Sequence, residues 1–235
     1  MDKNLEKKPT VTILLPVHND EKWLAMCLES IKMQTFGDFK CIVGFNGTVD
    51  RSKEIFMEVC SNDQRFQTLD FGGIAGKSRT LNSMLEFVES QYTCLVDGDD
   101  IWIENKLERQ IQEIQDFDVI GTLAHYINEK NEITYSLKLD LDNGSIVSGF
   151  CRGHNQIVNS SCMVKTESLR SVGGWDSSVE GMEDFDVWIK IYLTNKKFKN
   201  VPEYLVLHRI HKESNFNAKK LPVTIQDILK KNRLC

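Results

Sequence analysis

The chain has 235 residues, a length that fits one large domain with a substantial buried core. Apolar residues make up 41% and charged residues 27%, which is the balance of an ordinary globular protein and excludes a disordered or fibrous chain. The net charge of −5 comes from acids and bases mixed along the sequence, so we expect no nucleic-acid partner.

The apolar runs and the cysteines indicate the cellular compartment of the protein. The charged first residues lack the apolar centre of a signal peptide, and no apolar run is long enough to cross a bilayer. The seven cysteines are odd in number, have no Cys-x-x-Cys spacing, and in several cases fall within apolar patterns, as buried thiols do. We therefore expect a protein of the reducing cytoplasm.

In the first hundred residues, short apolar runs alternate with helical patterns. Strands are predicted at 11–17, 39–45, 66–69 and in the run that ends at Asp97. Apolar stripes indicate helices within 24–33, 53–60 and 81–88. This alternation predicts a parallel sheet with crossover helices.

The second half of the chain is less regular. Residues 101–107 form a helical pattern, with a helix expected from about 104 to 114 and a strand from 118 to 126. The polar segment 127–155 is interpreted as a hairpin and a mobile loop. A strand at 157–164, a helix at 183–193, an extended segment at 201–210 and a short helix from 222 to 229 complete the prediction.

Three carboxylates follow the fourth predicted strand. Side chains alternate along an extended backbone, so Asp97 and Asp99 should face the same side, and Gly98 leaves room for a close approach. Clustered carboxylates repel one another, and with Asp100 this group favours a divalent cation that also binds substrate phosphates. An aspartate-rich turn that caps the next helix is the alternative interpretation.

Further motifs stand at the end of the first strand, before the second strand and at the start of a later helix. They are Pro16-Val17-x-Asn19-Asp20, Gln34-Thr35-Phe36 and Glu183-Asp184 followed by Trp188. In this order and spacing, together with the aspartate cluster, the chain resembles the family 2 glycosyltransferases from about Thr10 to Ser214. The resemblance implies an α/β fold: a single GT-A (Rossmann-like) domain with a mostly parallel central sheet flanked by helices.

The same resemblance implies a division of the chain. We expect a flexible N-terminus at 1–9, the glycosyltransferase domain at 10–216 and a helical tail at 217–235. Within the domain, 10–100 would bind the nucleotide and 101–216 the acceptor.

The family's chemistry is an inverting transfer from a nucleotide-diphosphate sugar to a glycan or lipid-linked acceptor. The resemblance implies Mn²⁺ or Mg²⁺ at Asp99, with Asp97 near the ribose and His211 on the metal or a phosphate. Asp184 is the expected base, because a carboxylate in reach can take the acceptor proton. Glu183 is expected to steer the sugar, with a helix-capping role as the alternative.

The remaining expected substrate contacts come from several segments. The end of the first strand supplies Pro16, Val17, Asn19 and Asp20. The glycine-rich segment 72–82 resembles a family motif and supplies Lys77, Arg79 and Asn82, although both cations could instead be solvated. Trp175 is interpreted as a core residue or an acceptor wall. A zinc pair of His208 and His211 is disfavoured, because residues i and i+3 of a strand point to opposite faces.

The second strand departs from the family pattern. Asn46 stands where an aspartate contacts the nucleotide base, and Phe45 replaces the acid before it. An aspartate only accepts hydrogen bonds, whereas an asparagine amide accepts and donates. Uridine is the default base, and thymidine, guanosine and cytidine are left open.

We therefore predict a metal-assisted glycosyltransferase of bacterial surface-glycan type, such as one that builds polysaccharide or lipopolysaccharide. It would be cytoplasmic, with a peripheral contact to the inner membrane face left open because of the basic end at 230–233. A nucleotidyltransferase is the rival enzyme, although it would need a glycine-rich loop directly after the first strand. A non-catalytic sugar-nucleotide-binding module, suggested by Asn46, is the rival outside enzymes.

Overall fold

In the computed structural model, which describes residues 8–74, 76–212 and 223–234, a mixed β-sheet runs between two layers of helices. The strands are β1 Val11–Val17, β2 Phe39–Phe45, β3 Phe66–Asp70, β4 Tyr92–Leu95, β5 Ile101–Trp102, β6 Val119–Ile127, β7 Ile133–Leu137, β8 Met163–Lys165 and β9 Phe198–Arg209. The helices are α1 Leu24–Lys32, α2 Ser52–Cys60, α3 Lys77–Leu85, α4 Lys106–Glu113, α5 Asn143–Cys151, α6 Thr166–Ser171, α7 Glu183–Leu193 and α8 Ile225–Lys231.

The sheet has the order β3-β2-β1-β4-β8-β6-β9-β5, with β7 paired to β6. β1 pairs in parallel with β2 and β4, and β2 with β3, so the first half is a parallel sheet. Antiparallel strands enter in the second half, where β8 joins β4 to β6. Most paired residues nevertheless lie in parallel ladders, since β6 and β9 also run parallel. The predicted α/β class and mostly parallel sheet are confirmed.

Both faces of the sheet are covered, which explains the continuous apolar runs. Along β1, Ile13 and Leu15 pack into the core under α1, α2 and α4, whereas Leu14 packs into the core under α3, α5 and α7. Successive side chains of a strand point to opposite faces, so one uninterrupted run serves both layers. The carboxyl ends of the parallel strands β1, β2 and β4 therefore lie together at one edge of a sheet that is packed on both faces.

Two short segments differ from the prediction. Residues 101–107 do not begin a helix: Ile101–Trp102 forms β5 and pairs with β9, and α4 begins only at Lys106. Within 157–164, a 3-10 turn at Asn159–Ser161 precedes the short strand β8. In both places contacts with distant strands decide the conformation, which local periodicity does not encode.

The polar segment 127–155 contains the expected hairpin, formed by β6 and β7, but a helix occupies much of the predicted loop. Residues 143–151 form α5, whose Ile146 and Phe150 are fully buried. The Asp142 side chain accepts a hydrogen bond from the Ser145 backbone N–H at 3.0 Å and so caps the start of this helix.

The helix expected near the C-terminus is α8, which begins at Ile225, and the predicted start at Pro222 lies outside the described residues. Its Ile228 and Leu229 are buried in the core under α5 and α7. Lys231 donates to Asp176 at 2.7 Å and Asp186 at 2.8 Å. The helix is thus packed on the domain. Most of the predicted flexible segment at 1–9 falls outside the described residues.

Within the described parts of the chain, no helix combines the length and apolar character needed to cross a membrane.

Candidate active site

A cleft of about 990 Å³ opens where β1, β2 and β4 end. It is lined by the residues that follow these strands, by the start of α7 and by the end of β9. Open α/β sheets bind ligands at such an edge. Most predicted site residues line this cleft, namely Pro16, Val17, Asp20, Asn46, Lys77, Asp97, Gly98, Asp99, Glu183, Asp184 and His211.

The first carboxylate after β4, Asp97, is paired with a cation. Its Oδ1 accepts a short hydrogen bond from Lys77 Nζ, and its Oδ2 one from Asn159 Nδ2 at 3.3 Å. The Asp97 backbone N–H donates to Ser160 Oγ at 3.1 Å, which ties the loop to the 3-10 turn. Although burial opposes ionisation, the Lys77 ammonium holds the pKa of Asp97 below its usual range.

Lys77 reaches Asp97 because α3 begins beside the cleft. The helix starts after Gly76, whose φ of +90° favours glycine and where an added Cβ would lie 2.3 Å from Glu180 Oε1. Glu180 Oε1 accepts from the backbone N–H of Ser78 at 2.9 Å. Burial opposes the charge of Lys77, but Asp97 together with Glu183 and Asp184 outweighs it, so the pKa of Lys77 is raised. The ammonium is charged at neutral pH.

Asp99 lines the same cleft as Asp97. The predicted alternation along an extended backbone is not the reason, because β4 ends at Leu95 and the Asp100 backbone N–H donates to the Asp97 carbonyl at 3.1 Å, which closes a turn. Its Oδ2 is 3.0 Å from His211 Nε2. Burial, together with the negative charges of Asp100 and Asp97, raises the pKa of Asp99 to about 8. These are the conditions that a bound cation would relieve.

Asp100 turns away from the cleft and is fully buried against β9. Its two oxygens contact His208 Nδ1 at 2.9 Å and the backbone N–H of Arg209 at 2.8 Å. The Arg209 side chain donates to the backbone carbonyl of Asp99 at 2.9 Å and stacks 4.1 Å from the Trp23 ring. The loop after β4 is therefore clamped from β9.

A divalent metal fits only part of this arrangement. The described residues contain no group of three or more His, Cys, Asp or Glu side chains placed to hold an ion. Asp97 is occupied by Lys77, which leaves Asp99 and His211 as converging donors. His208 contacts Asp100, whereas His211 contacts Asp99. Two protein donors suit Mg²⁺ or Mn²⁺ when water and phosphate oxygens complete the coordination.

At the other end of the cleft, the loops after β1 and β2 meet segment 72–74. Asn46 Nδ2 donates to the backbone carbonyl of Ile74 at 2.8 Å, while its buried Oδ1 has no hydrogen-bond partner among the described residues. The Asn46 carbonyl oxygen lies 2.6 Å from His18 Nδ1. Gly47 has a φ of +60°, and a Cβ there would lie 3.3 Å from the Gly73 Cα, so both loops need glycine.

Asp20 closes the space beside Gly98. Its Oδ2 accepts from the backbone N–H of His18 at 3.0 Å. A Cβ at position 98 would lie 2.9 Å from the same oxygen, which explains why glycine is needed. Burial raises the pKa of Asp20 to about 6, with a smaller contribution from Asp97.

The start of α7 brings two more carboxylates to the cleft. Asp184 Oδ1 accepts from the Phe185 backbone N–H at 2.7 Å, and its Oδ2 from Asn155 Nδ2 at 2.9 Å. Burial and the neighbouring Glu183 raise the pKa of Asp184 to about 7. Glu183 Oε2 accepts from the Gly181 backbone N–H at 2.6 Å, so this side chain also braces the backbone before the helix.

Four predicted contact residues do not line the cleft, and three of them have structural roles. Asn19 Oδ1 accepts from the Val49 backbone N–H at 2.9 Å. Asn82 clamps Trp175 by donating to its carbonyl at 2.7 Å and accepting from its N–H at 2.9 Å, and Trp175 is only 2% exposed in the core. Arg79 is exposed two residues beyond Lys77 on α3. Positions i and i+2 of a helix point in different directions, so both cations cannot face one cleft.

The structure also adds residues that sequence reasoning missed, among them His18, Asn155, Asn159, His208 and Arg209. Asn155 lies in the polar segment, where no pattern marks it, and Asn159 lies in the predicted strand 157–164, which is a 3-10 turn at that residue. His208 and Arg209 precede His211 at the end of the extended segment predicted at 201–210. Their position at the end of a predicted strand was the available signal.

The far wall of the cleft is mostly apolar. It includes Tyr126 on β6, Leu137 on β7 and Met182 before α7. Ile225 of α8 also lines it and packs on Gly153, where a Cβ would lie 2.6 Å from Ile225 Cγ2. The C-terminal helix thus contributes to the cleft itself.

The sequence and the fold are similar to those of known proteins. The model of the glycosyl transferase family 2 matches residues 12–171. An uncharacterized glycosyltransferase of Methanocaldococcus jannaschii is 26% identical over 214 residues, covering 89% of this chain and 73% of that protein. The O-antigen biosynthesis glycosyltransferase WbnJ of Escherichia coli is 25% identical, covering 87% and 81%.

Among solved structures, S. aureus TarS 1–349 in complex with UDP-GlcNAc superposes with a TM-score of 0.77 at 16% identity, covering 95% of this chain and 65% of that one. A Pyrobaculum calidifontis mannosyltransferase in complex with GDP-Man and Mn²⁺ gives a TM-score of 0.68 at 14% identity, covering 89% and 59%. The chain thus spans less than two thirds of each of these structures, which share its fold. Since the family model covers well over half of the sequence, the chain belongs to the glycosyl transferase family 2 and is a glycosyltransferase.

Proposed function

We propose that this glycosyltransferase moves a sugar from a UDP-sugar to a hydroxyl of a glycan or lipid-linked acceptor, with inversion and with Mn²⁺ or Mg²⁺. One observation carries the proposal: the Asp99–His211 pair, the Lys77 ammonium and the Asp184 carboxylate all line a single cleft. A cation site, a fixed positive charge and a base are the three parts that displacement of a nucleoside diphosphate needs.

The choice of uridine is supported by Asn46. Its Nδ2 is engaged by the Ile74 carbonyl, which leaves the buried Oδ1 as an acceptor at the cleft. Uracil, thymine and guanine each present a ring N–H to such an oxygen, whereas the corresponding ring nitrogen of cytosine carries no hydrogen, so this oxygen disfavours cytosine. The UDP-GlcNAc complex of TarS, a protein of the same fold, points to uracil. Of the other residues at this end, Pro16, Val17 and Asp20 would complete the nucleoside site.

Asp99 and His211 would hold the metal, with the diphosphate and water as its remaining ligands. When bound, the metal supplies Lewis-acid stabilisation of the leaving diphosphate. Lys77 adds a positive charge at the start of α3, where backbone N–H groups also favour anions. Asp97, held by Lys77 and Asn159, would face the ribose.

Asp184 is proposed as the general base. A carboxylate whose pKa lies near 7 accepts a proton far better than one of ordinary acidity and is still largely ionised at mildly alkaline pH. The acceptor oxygen attacks the anomeric carbon from the face opposite the diphosphate, and its proton passes to Asp184. Glu183, beside it on α7, would contact the donor sugar.

The class of acceptor is proposed from the apolar wall of the cleft and from the names of the matched relatives. The matched proteins include the E. coli O-antigen enzyme WbnJ and a Staphylococcus epidermidis teichoic acid poly(glycerol phosphate) polymerase. Both names concern bacterial surface polymers, and we propose the same broad role, in the cytoplasm or at the inner face of the membrane. The domain would divide as expected, with residues 10–100 for the nucleotide and 101–216 for the acceptor.

The first test is thermal stabilisation by UDP, TDP, GDP and CDP, each with and without Mn²⁺. We expect the largest shift for UDP with Mn²⁺, and we expect Asp99→Ala to lose the metal-dependent part while the exposed Asp116→Ala keeps it. The absence of any shift in the unaltered protein would overturn the proposed donor. Asp184→Asn should keep the shift but release no UDP from a UDP-sugar, whereas an unaltered protein that binds without turnover would be a binding module.

A further inference from the structure

We propose that Asn155 is a positioning residue for the transfer: its side-chain amide fixes the Asp184 carboxylate in place at the cleft. This inference rests on the proposed function, because it takes Asp184 as the base. Asn155 belongs to no motif of the sequence, and it comes from the loop after α5, on a different part of the chain from α7.

The first support is a hydrogen-bond chain with a defined direction. Asn155 Nδ2 lies 2.9 Å from Asp184 Oδ2. The other end of the same amide, Oδ1, accepts from the Ile157 backbone N–H at 3.1 Å. A backbone N–H can only donate, so the oxygen must face Ile157 and the NH₂ group must face Asp184. The backbone therefore sets which end of the amide meets the carboxylate.

The second support is the way in which Asp184 is held. Its Oδ1 already accepts from the Phe185 backbone N–H at 2.7 Å. With one donor on each oxygen, rotation of the carboxylate is restricted, and each oxygen keeps a free lone pair for the acceptor hydroxyl. Asn155 is thus the residue that fixes the Oδ2 end of the carboxylate.

The third support is the charge around Asp184. Glu183 on α7 and Asp97 after β4 repel its negative charge, and Lys77 on α3 attracts it. The buried thiol of Cys162 also faces it and is uncharged, because burial raises its pKa above the physiological range. The amide of Asn155 is thus a neutral donor that favours the ionised carboxylate without adding charge to the site.

The loop that carries Asn155 is itself anchored. Gly153 has a φ of +79° and packs under Ile225 of α8. The His154 backbone N–H donates to the Gly149 carbonyl at 2.9 Å, which closes the end of α5. The amide is therefore presented from a fixed backbone, as a positioning residue requires.

The test is a direct titration of the Asp184 carboxyl by ¹³C NMR in protein labelled at aspartate, with Asp184→Asn used to assign the resonance. We expect a midpoint near 7 in the unaltered protein. Asn155→Ala removes a donor to the charged form, so the midpoint should rise by about 0.5–1 pH unit. Asn155→Asp keeps the shape of the side chain but adds a negative charge, so it should raise the midpoint further.

His154→Ala, an exposed neighbour in the same loop, is the matched control and should leave the midpoint unchanged. Unchanged midpoints in both Asn155 variants, or an equal rise in the control, would overturn the proposal. Should Asn155→Ala fold poorly, the isosteric Asn155→Asp still decides the matter. The pH profile of UDP release, with water as acceptor, is measured in parallel. An unaltered protein that neither binds UDP nor releases it from a UDP-sugar refutes the proposed function, whereas the titration tests the contact independently.

Discussion

The Lys77 ammonium and the Asp97 carboxylate form a direct ion pair at the cleft, between the start of α3 and the loop after β4. Both groups are largely shielded from water, so their attraction is less screened than at a surface. The pair holds the loop that carries Asp99 and keeps the Lys77 ammonium beside the space where a diphosphate would lie. Donor binding should therefore depend on Lys77 more than on any other cation of this segment.

Replacement of Lys77 by Met should weaken UDP binding by about 10- to 100-fold, because the proposed charge-assisted contact to the diphosphate would be lost. Isothermal titration with UDP and Mn²⁺ measures it. Arg79→Met is the matched control, since Arg79 lies on the same helix but is exposed away from the cleft. Equal losses in the two variants would mean that general charge, and not the placement of Lys77, governs binding.

The raised pKa of Asp184 predicts how activity depends on pH. The proposed base must be ionised, so kcat/KM for UDP release should rise through pH of about 7 and level off above it. Asp184→Asn should abolish turnover at every pH. A profile in the unaltered protein that is flat from pH 5 to 9 would contradict the assignment.

The same pKa also predicts stability. The folded protein holds the Asp184 proton more tightly than the unfolded chain, in which an aspartate has its ordinary pKa of 3.8. The contribution of this group to stability is therefore favourable below pH 3.8 and is lost as the pH rises to about 7.

Asp184→Asn removes the buried charge and should raise the unfolding free energy at pH 8 by about 1–2 kcal/mol. The advantage should shrink toward pH 4, as followed by urea unfolding across that range. If the stability of the variant relative to the unaltered protein is lower at pH 8 than at pH 5, the ionised Asp184 carboxylate does not destabilise the fold.

Gly98 gives a prediction about space. In Gly98→Ala the new Cβ would lie 2.9 Å from Asp20 Oδ2, so the loop or Asp20 must move. We expect a loss of about 1–3 kcal/mol in unfolding free energy and weaker UDP binding, because both segments line the cleft. Gly37→Ala is the control: no atom lies within 4 Å of its added Cβ, and it should be close to neutral.

The first half of the fold was predictable because its information is local. Each apolar run of β1 and β2 is flanked by a helical stripe, and the predicted bounds match the observed strands to the residue. β5 was not predictable in this way, because Ile101 and Trp102 become extended only by pairing with β9 about a hundred residues later. α5 was missed for a related reason: its few buried residues are spread through a polar segment, and its burial depends on contact with β9 and α7.

The site residues differ in the same way: some stand in local motifs, and the positions of others depend on the fold. Asp97, Asp99 and Asp184 stand in ordered motifs, so their presence at one cleft could be expected before the structure. Lys77 and Arg79 could not be separated until the start of α3 was known, since the helix phase decides which of them faces the cleft. The contact of Asn155 with Asp184 joins an irregular loop to the first turn of α7, 29 residues later, and no periodicity encodes it.

The last prediction concerns the attachment of α8. Lys231 bridges Asp176 and the fully buried Asp186, and the same helix places Ile225 on the cleft wall. Lys231→Met should lower the unfolding free energy by about 1–2 kcal/mol, because Asp186 loses one of its donors but keeps Lys190 at 2.8 Å.

Ile225 would then be less firmly held, so kcat/KM for an acceptor should fall. UDP affinity should stay the same, because the proposed nucleoside site lies at the ends of β1 and β2, away from α8. Lys230→Met, on the exposed side of the same helix, is the control and should change neither quantity. A Lys231→Met variant that loses UDP affinity as well would show that α8 supports the whole cleft and not its apolar wall alone.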